Sequence, residues 1–395
     1  MSPSEGSVAL AADAPAQVRL RAGIPYAVKV FAAVWLGWAL LGVLGVGLIP
    51  PGQPPVSVPG LAAEPLRPGW HNALTAGNRG DALWYQRIAV DGYRADDSSA
   101  AFFPLYPVAI RALATLPGIG PRAAAAAVAQ GSFLGALVVL YALTSREFGP
   151  DLARRAVRYL AVFPTAFFFL SPYTEAPFLL LTLLTFWYAR GNRWWAAALA
   201  AALAASTRSA GIVLLPALLV EAVAQRRTHG RRLLPRLAAA GAPLLGLGAY
   251  GLYWALAKGD VWAPVDAQQN WQRVFTPPTT TLWHALEDGW RFGSYWLIDL
   301  LVVGVITVAL LAGVRLLRAT YLTYGLLSLL LPLSEPFPPR PLLSMPRFLA
   351  VVFPAFWVLA ASSSRRRLPD PLVLAAFAGG FVLLGLLNMN YYFIF

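Results

Sequence analysis

The stretch Asn78-Arg79-Gly80-Asp81-Ala82-Leu83-Trp84-Tyr85-Gln86-Arg87-Ile88-Ala89-Val90-Asp91-Gly92-Tyr93, closed by Phe102-Phe103-Pro104-Leu105-Tyr106-Pro107, concentrates acids, bases and aromatic rings in an otherwise apolar chain. Asp81 stands before Leu83, Trp84, Tyr85, Ile88 and Ala89, a spacing that predicts a helix capped by Asp81 and half immersed in a membrane interface. A carboxylate held at that boundary can take the proton of an incoming hydroxyl. Farther along lie Glu175, Arg208, Arg340 and Arg347, each interrupting or ending an apolar segment. An arginine in such a place can neutralise a departing phosphate. Opposite unit charges at about 4 Å in an effective dielectric near 20 attract by about 4 kcal/mol, enough to matter to a rate. One or two carboxylates with separated arginines therefore suit transfer of a group from a lipid-linked phosphate.

Each candidate also has a structural reading. Asp81 can simply cap its helix, and Asp91, preceding Gly92, can shape a turn. Glu175 can cap a helix beginning at Ala176, and Arg347 can snorkel from a span end. Asp96 and Asp97 read as a solvated pair and are set aside. Arg208 is harder to dismiss, because an unpaired arginine within an apolar segment costs about 2.5 to 3.5 kcal/mol on insertion scales. His71, His229 and His284 are far apart, so a histidine metal site is not expected. Oxygen-only ligand sets leave weak traces, so a divalent metal stays an open alternative.

These groups must be positioned by membrane helices. Of 395 residues, 58% are hydrophobic and 12% charged, against about 25% charged in a soluble domain. The mean hydropathy is +0.59, which predicts an all-α integral membrane protein. Its net charge of +13 resides in arginines of short loops, which the positive-inside rule explains without nucleic acid. The absence of cysteine excludes disulfides and thiolate metal sites.

Residues 1–23 read as a flexible cytoplasmic tail and 24–395 as a single membrane domain. Apolar segments predict about 11 spans, at 24–50, 121–144, 156–170, 176–189, 194–205, 212–224, 237–256, 295–314, 321–333, 348–361 and 372–395. Residues 102–116, interrupted by Pro104, Pro107 and Arg111, read as a surface helix. The clusters at Arg146 to Arg158, Arg190 and Arg193, Arg226 to Arg236, Arg315 and Arg318, and Arg365 to Arg367 then share the cytoplasmic side. Asp81, Glu175, Arg208, Arg340 and Arg347 share the other, with large outer loops at about 51–120 and 258–291. The second loop carries Trp262, Trp271, Trp283 and Trp290, an aromatic-belt pattern.

Arg79-Gly80-Asp81-Ala82, Tyr85, Ile88-Ala89, Gly92-Tyr93 and Phe102 to Pro107 resemble the signature of the PIG-V family of mannosyltransferases and its bacterial relatives. Phe163-Pro164-Thr165-Ala166, Tyr173-Thr174-Glu175, Ser206-Thr207-Arg208-Ser209-Ala210-Gly211, Pro346-Arg347-Phe348 and Phe353-Pro354 are similar to further family segments. One departure is visible: the family usually carries Trp where this chain has Gly80. The resemblance implies a GT-C glycosyltransferase fold and a polyprenyl-phosphate sugar donor, with mannose as the sugar. On it, Asp81 is the catalytic base of an inverting transfer. Arg208 and Arg347 contact phosphate, Glu175 and Asp91 position groups, and Arg79, Tyr85, Phe103 and Tyr106 belong to the substrate site. The expected partners are the lipid-linked donor, a glycan or glycolipid acceptor and membrane lipid, in the cell membrane with the site outside; no cofactor is required. A transporter or lipid flippase is the rival reading, though paired broken helices are not evident beyond the break at Arg208; a structural subunit is a third.

Overall fold

The computed structural model describes residues 16–63, 65–95, 97–229, 233–268, 273–364 and 369–392. Among them the architecture is helical throughout, apart from two isolated bridges, Val58 to Leu61 and Phe337 to Arg340. Asp96, Trp271, Arg231, Arg232 and Arg365 to Arg367 lie outside the described residues.

Six helices are long and apolar enough to cross a bilayer: Gln17–Gly45, Pro121–Phe148, Ser209–Arg226, Leu233–Lys258, Tyr295–Arg315 and Asp370–Met389. Shorter apolar helices fill the bundle, among them Leu105–Ala114, Trp194–Ala205, Ala319–Leu333 and Phe353–Ser363. The first helix starts at Ala16 rather than at Ile24, drawing Arg19 and Arg21 into it.

Punctuation in the sequence explains most boundaries. The Pro121–Phe148 helix has Pro121 in its first turn and stops at Gly149, whose φ of 90° only glycine adopts freely. Pro150 then opens the next helix, Pro150–Ala161. That helix is 12 residues long and buries Ala153, Ala156, Val157 and Leu160 while Arg154 and Arg155 face away. The expected span at 156–170 is thus not one helix. Pro164 cannot donate to a helix ladder, and the chain turns through a short 3-10 segment, Ala166–Phe169, before Glu175–Arg190.

The core is aromatic and alanine-rich. Trp38 stacks on Phe167 at 5.4 Å between ring centroids, and the buried Trp357 indole donates to Thr144 at 2.6 Å. Asn390 links the first and last membrane-length helices: its Nδ2 donates to the Gly45 carbonyl at 3.0 Å, and its Oδ1 accepts from the Gly47 amide at 3.0 Å.

One helix orients the bundle for everything that follows. Glu175 begins the Glu175–Arg190 helix and Arg190 ends it, a separation of about 22 Å at 1.5 Å per residue. Around Arg190 gather Glu147 at 2.8 Å and Glu221 at 2.9 Å, with Arg318 3.0 Å from Glu147. Asp81, Arg208 and Arg347 gather around Glu175. The two ends of the bundle therefore carry separate ion-pair clusters.

Candidate active site

The Asp81–Asp91 helix starts at Gly80, whose φ of 56° and ψ of −126° turn the chain sharply into it. Asp81 does not cap this helix, contrary to the expectation from spacing; Gly80 holds the cap position and no side chain bonds there. The carboxylate is claimed by a distant partner instead. Arg347 Nη1 donates to Asp81 Oδ2 at 2.8 Å, leaving Oδ1 without a hydrogen-bond partner among the described residues.

Glu175 does not cap its helix either. Its side chain is 1% exposed, and Oε1 accepts from Arg208 Nη1 while lying 3.1 Å from Arg347 Nε. The latter contact is close enough for charge attraction but not aligned as a hydrogen bond, since Arg347 Nε has no hydrogen-bond partner. Arg208 Nη1 also donates to Thr174 Oγ1 at 3.2 Å. The four ionised groups thus form a chain, Asp81–Arg347–Glu175–Arg208. Burial alone would push the Arg347 guanidinium down, but Glu175 and Asp81 outweigh it and hold it above its usual range.

Aromatic rings wall this chain. Arg347 lies over Phe348 at 5.0 Å and over Phe168 and Tyr173 at 5.4 Å; Arg208 lies over Phe348 at 5.1 Å. The turn carrying Arg347 is fixed by Thr165 Oγ1 donating to the Pro346 carbonyl at 2.8 Å. Just before it, Ser344 adopts a φ of 67°, uncommon for a non-glycine residue and a mark of local strain.

Asp81, Tyr85, Phe102, Phe103, Arg208, Arg273 and Arg347 all line one open cavity of 250 Å³. Tyr85 is fully buried behind it, its hydroxyl 3.3 Å from Thr174 Oγ1 and its ring edge-on to Phe102 and Tyr106. Burial, then the nearby Asp81 charge, keeps this phenol protonated far above its ordinary range. Such a group serves as a wall and a neutral donor rather than as a base.

The remaining predicted residues sit behind or beside the cavity. Tyr106 donates to the Ala125 carbonyl at 2.8 Å. Arg79 is buried and donates to the carbonyls of Asn388 and Met389, satisfying the end of the last helix. Tyr173 in turn donates to the Arg79 carbonyl at 2.6 Å, bracing the turn that precedes Asp81. Asp91 pairs with Arg94 at 3.1 Å on a partly exposed surface and is not among the cavity-lining residues. Arg340 pairs with buried Asp299 at 2.6 Å and is not among the cavity-lining residues. Asp97, set aside as solvated, is instead 2.6 Å from the buried Arg87 guanidinium.

Arg273, Ser344 and Phe348 line the cavity without having been singled out as site residues. Among the described residues no three His, Asp or Glu side chains gather so as to hold a metal ion. The arrangement offers a carboxylate oxygen open to a proton, a buried counter-charge that orients it, and guanidinium groups suited to an anion.

No protein-family model matches the chain, and no curated protein matches it. Two solved structures are similar in backbone: ArnT from Cupriavidus metallidurans bound to undecaprenyl phosphate, with a TM-score of 0.49, and its apo state, with 0.46. Each is 14% identical over 93% of this chain and 76% of the other.

Proposed function

We propose that this chain is a membrane glycosyltransferase of GT-C type, related to the PIG-V mannosyltransferases, that moves mannose or a related hexose from a polyprenyl-phosphate donor to a hydroxyl of a lipid-linked or glycan acceptor. The observation that carries the reading is the meeting of Asp81 with Arg208, Arg347 and Arg273 in one cavity at one end of a bundle of membrane-length helices. The arginine distribution supports an extracytoplasmic position for that end and a cytoplasmic one for the ion-pair cluster at Arg190, Glu147, Glu221 and Arg318.

In this reading the acceptor hydroxyl hydrogen-bonds to Asp81 Oδ1. As the proton passes to the carboxylate, the acceptor oxygen forms a bond to the sugar C1. The bond from C1 to the phosphate oxygen breaks on the opposite face, and its electron pair leaves with polyprenyl phosphate. One displacement inverts the anomeric centre. Arg347 holds Asp81 in place, Glu175 holds Arg347 and Arg208, and the guanidinium groups offset charge gathering on the phosphate.

The test is turnover of a polyprenyl-phosphate mannose donor by purified protein in lipid. Asp81→Asn keeps the size and the Arg347 hydrogen bond but removes the proton acceptor. It should lower transfer by about 10² to 10⁴ with an unchanged gel-filtration profile. A variant that keeps most of the activity would remove Asp81 from the base role.

A further inference from the structure

Three guanidinium groups line the cavity, but only two of them are matched. Arg208 and Arg347 each lie within 3.1 Å of a carboxylate. Arg273 forms no ion pair and no hydrogen bond with any described residue, and its Nε is buried without a partner. Its guanidinium lies 5.8 Å from the Phe348 ring centroid. Leaving buried guanidinium N–H groups unsatisfied is costly. A group in that position calls for an anion from outside the chain.

The surroundings narrow what the anion is. Asp81 and Glu175 set two negative charges against the three positive ones of the arginines, and a further carboxylate, Glu335, stands nearby. Glu335 lines a smaller adjoining chamber of 90 Å³ together with Arg273, Arg208 and Glu175, and it makes no salt bridge among the described residues. Burial, then the neighbouring Arg347, depresses the Arg273 guanidinium from its ordinary range, while Glu335 and Asp81 pull it back.

The chain that follows Arg273 is anchored at two points. The Thr276 amide donates to the Ser334 carbonyl at 2.9 Å, and the following Pro278–Phe292 helix packs Thr281, Ala285 and Gly289 inward. Its outer stripe, Trp283, Leu286 and Trp290, is exposed, Trp290 by 92%. Apolar exposure on that scale suits a bilayer surface. Arg273 thus lines the cavity a few residues before a helix whose exposed apolar stripe suits contact with lipid.

We infer that Arg273 is the residue that binds the phosphate of the polyprenyl-phosphate donor, with Arg208 and Arg347 committed in the resting site to ordering the two carboxylates. The inference rests on the glycosyl-transfer reading and sharpens it. The family resemblance implied Arg208 and Arg347 as the phosphate contacts. Engaging either of those would mean competing with a buried carboxylate, whereas Arg273 offers its donors without giving up a partner. During transfer, the electron pair of the broken C1–oxygen bond would come to rest on the phosphate that Arg273 holds.

The test compares binding of polyprenyl phosphate, the uncharged polyprenol and the anionic phospholipid phosphatidylglycerol to detergent-purified full-length protein, for wild type, Arg273→Gln and Arg273→Lys. Wild type should prefer the phosphate over the alcohol. Arg273→Gln should lose about 10- to 100-fold of the phosphate affinity, the worth of a charge-assisted hydrogen bond, with the alcohol bound as before. Arg273→Lys should recover part of the loss by restoring charge without the planar fork. A wild-type preference that survives Arg273→Gln unchanged overturns the role of Arg273 alone. No wild-type preference at all overturns the donor reading along with it. Phosphatidylglycerol binding as tightly as polyprenyl phosphate would make Arg273 a general lipid-phosphate contact and overturn the donor assignment.

Discussion

Glu175 is the carboxylate on which two of the three site arginines converge, and neutralising it is the sharpest test of the site's architecture. Glu175→Gln preserves volume and removes the charge that Arg208 and Arg347 share. Breaking a buried ion pair by removing one partner costs about 3 to 5 kcal/mol, and the side chains here are 1% exposed for Glu175 and 18% for Arg208. Arg347 keeps Asp81 at 2.8 Å and Arg208 keeps Thr174 at 3.2 Å, so the expected loss lies at the lower end, about 3 kcal/mol. Arg208→Gln should cost a similar amount. Were the two independent, the double variant would lose about 6 kcal/mol; as one unit it should lose about 3 to 4, a coupling of about 2 to 3 kcal/mol. Equilibrium unfolding by sodium dodecyl sulfate in mixed micelles, followed by tryptophan fluorescence, measures all four corners of the cycle. Additivity within about 0.5 kcal/mol, or a Glu175→Gln variant as stable as wild type, would refute the idea that Glu175 organises the arginines.

Two further perturbations probe how Asp81 and Arg347 are aimed. Gly80 adopts a φ of 56° and a ψ of −126°, and a Cβ there would lie 3.1 Å from the Tyr173 hydroxyl; Gly80→Ala should cost about 1 to 3 kcal/mol, and Gly80→Trp, the residue usual in the similar family, should cost more and slow donor turnover, both checked by the same unfolding assay and by transfer rate. Asp299→Asn strands the Arg340 guanidinium, only 6% exposed at its side chain, and should cost about 3 kcal/mol or more while lowering transfer through the loop that leads to Ser344 and Arg347; stability and turnover that both match wild type would sever that loop from the site.

How much of this was readable in the chain depends on what each residue interrupts. Glu175, Arg208 and Arg347 stood out because each breaks or ends an apolar segment, Asp81 because it heads a run of apolar and aromatic residues, and the structure brings all four together across 266 positions of sequence separation. The break at Arg208 was legible for the same reason, and Gly211 marks it: a Cβ there would run into the backbone of Ala204 and Ala205. Arg273 gave no such signal. It lies in a loop already rich in polar and aromatic residues, where one more arginine reads as solvated, and only the fold shows that it forms no ion pair among the described residues. Asp299 was missed for the opposite reason, since a single acid inside Tyr295–Ala312 barely disturbs an otherwise apolar helix. The expected tally of spans was blurred by short pieces. Apolar runs such as 156–170 and 194–205 are interrupted by proline or by the Ser206–Gly211 break, so their helices reach only 12 residues, and hydropathy cannot tell a short buried helix from a crossing one.

The contrast between the two ends of the Glu175–Arg190 helix carries the argument one step further. At the Arg190 end, Glu147 and Glu221 face Arg190 and Arg318, and Thr320 and Tyr321 add hydrogen bonds to the carboxylates at 2.7 Å and 3.1 Å. That cluster satisfies itself, as a purely structural lock must. At the Glu175 end the same ingredients remain incomplete: among the described residues Glu175 Oε2 and Arg273 Nε are buried without partners and one Asp81 oxygen has none, and a cavity of 250 Å³ opens beside them. Unmet polar groups of both signs around an open space are what a site needs in order to gain by receiving a hydroxyl on one side and a phosphate on the other.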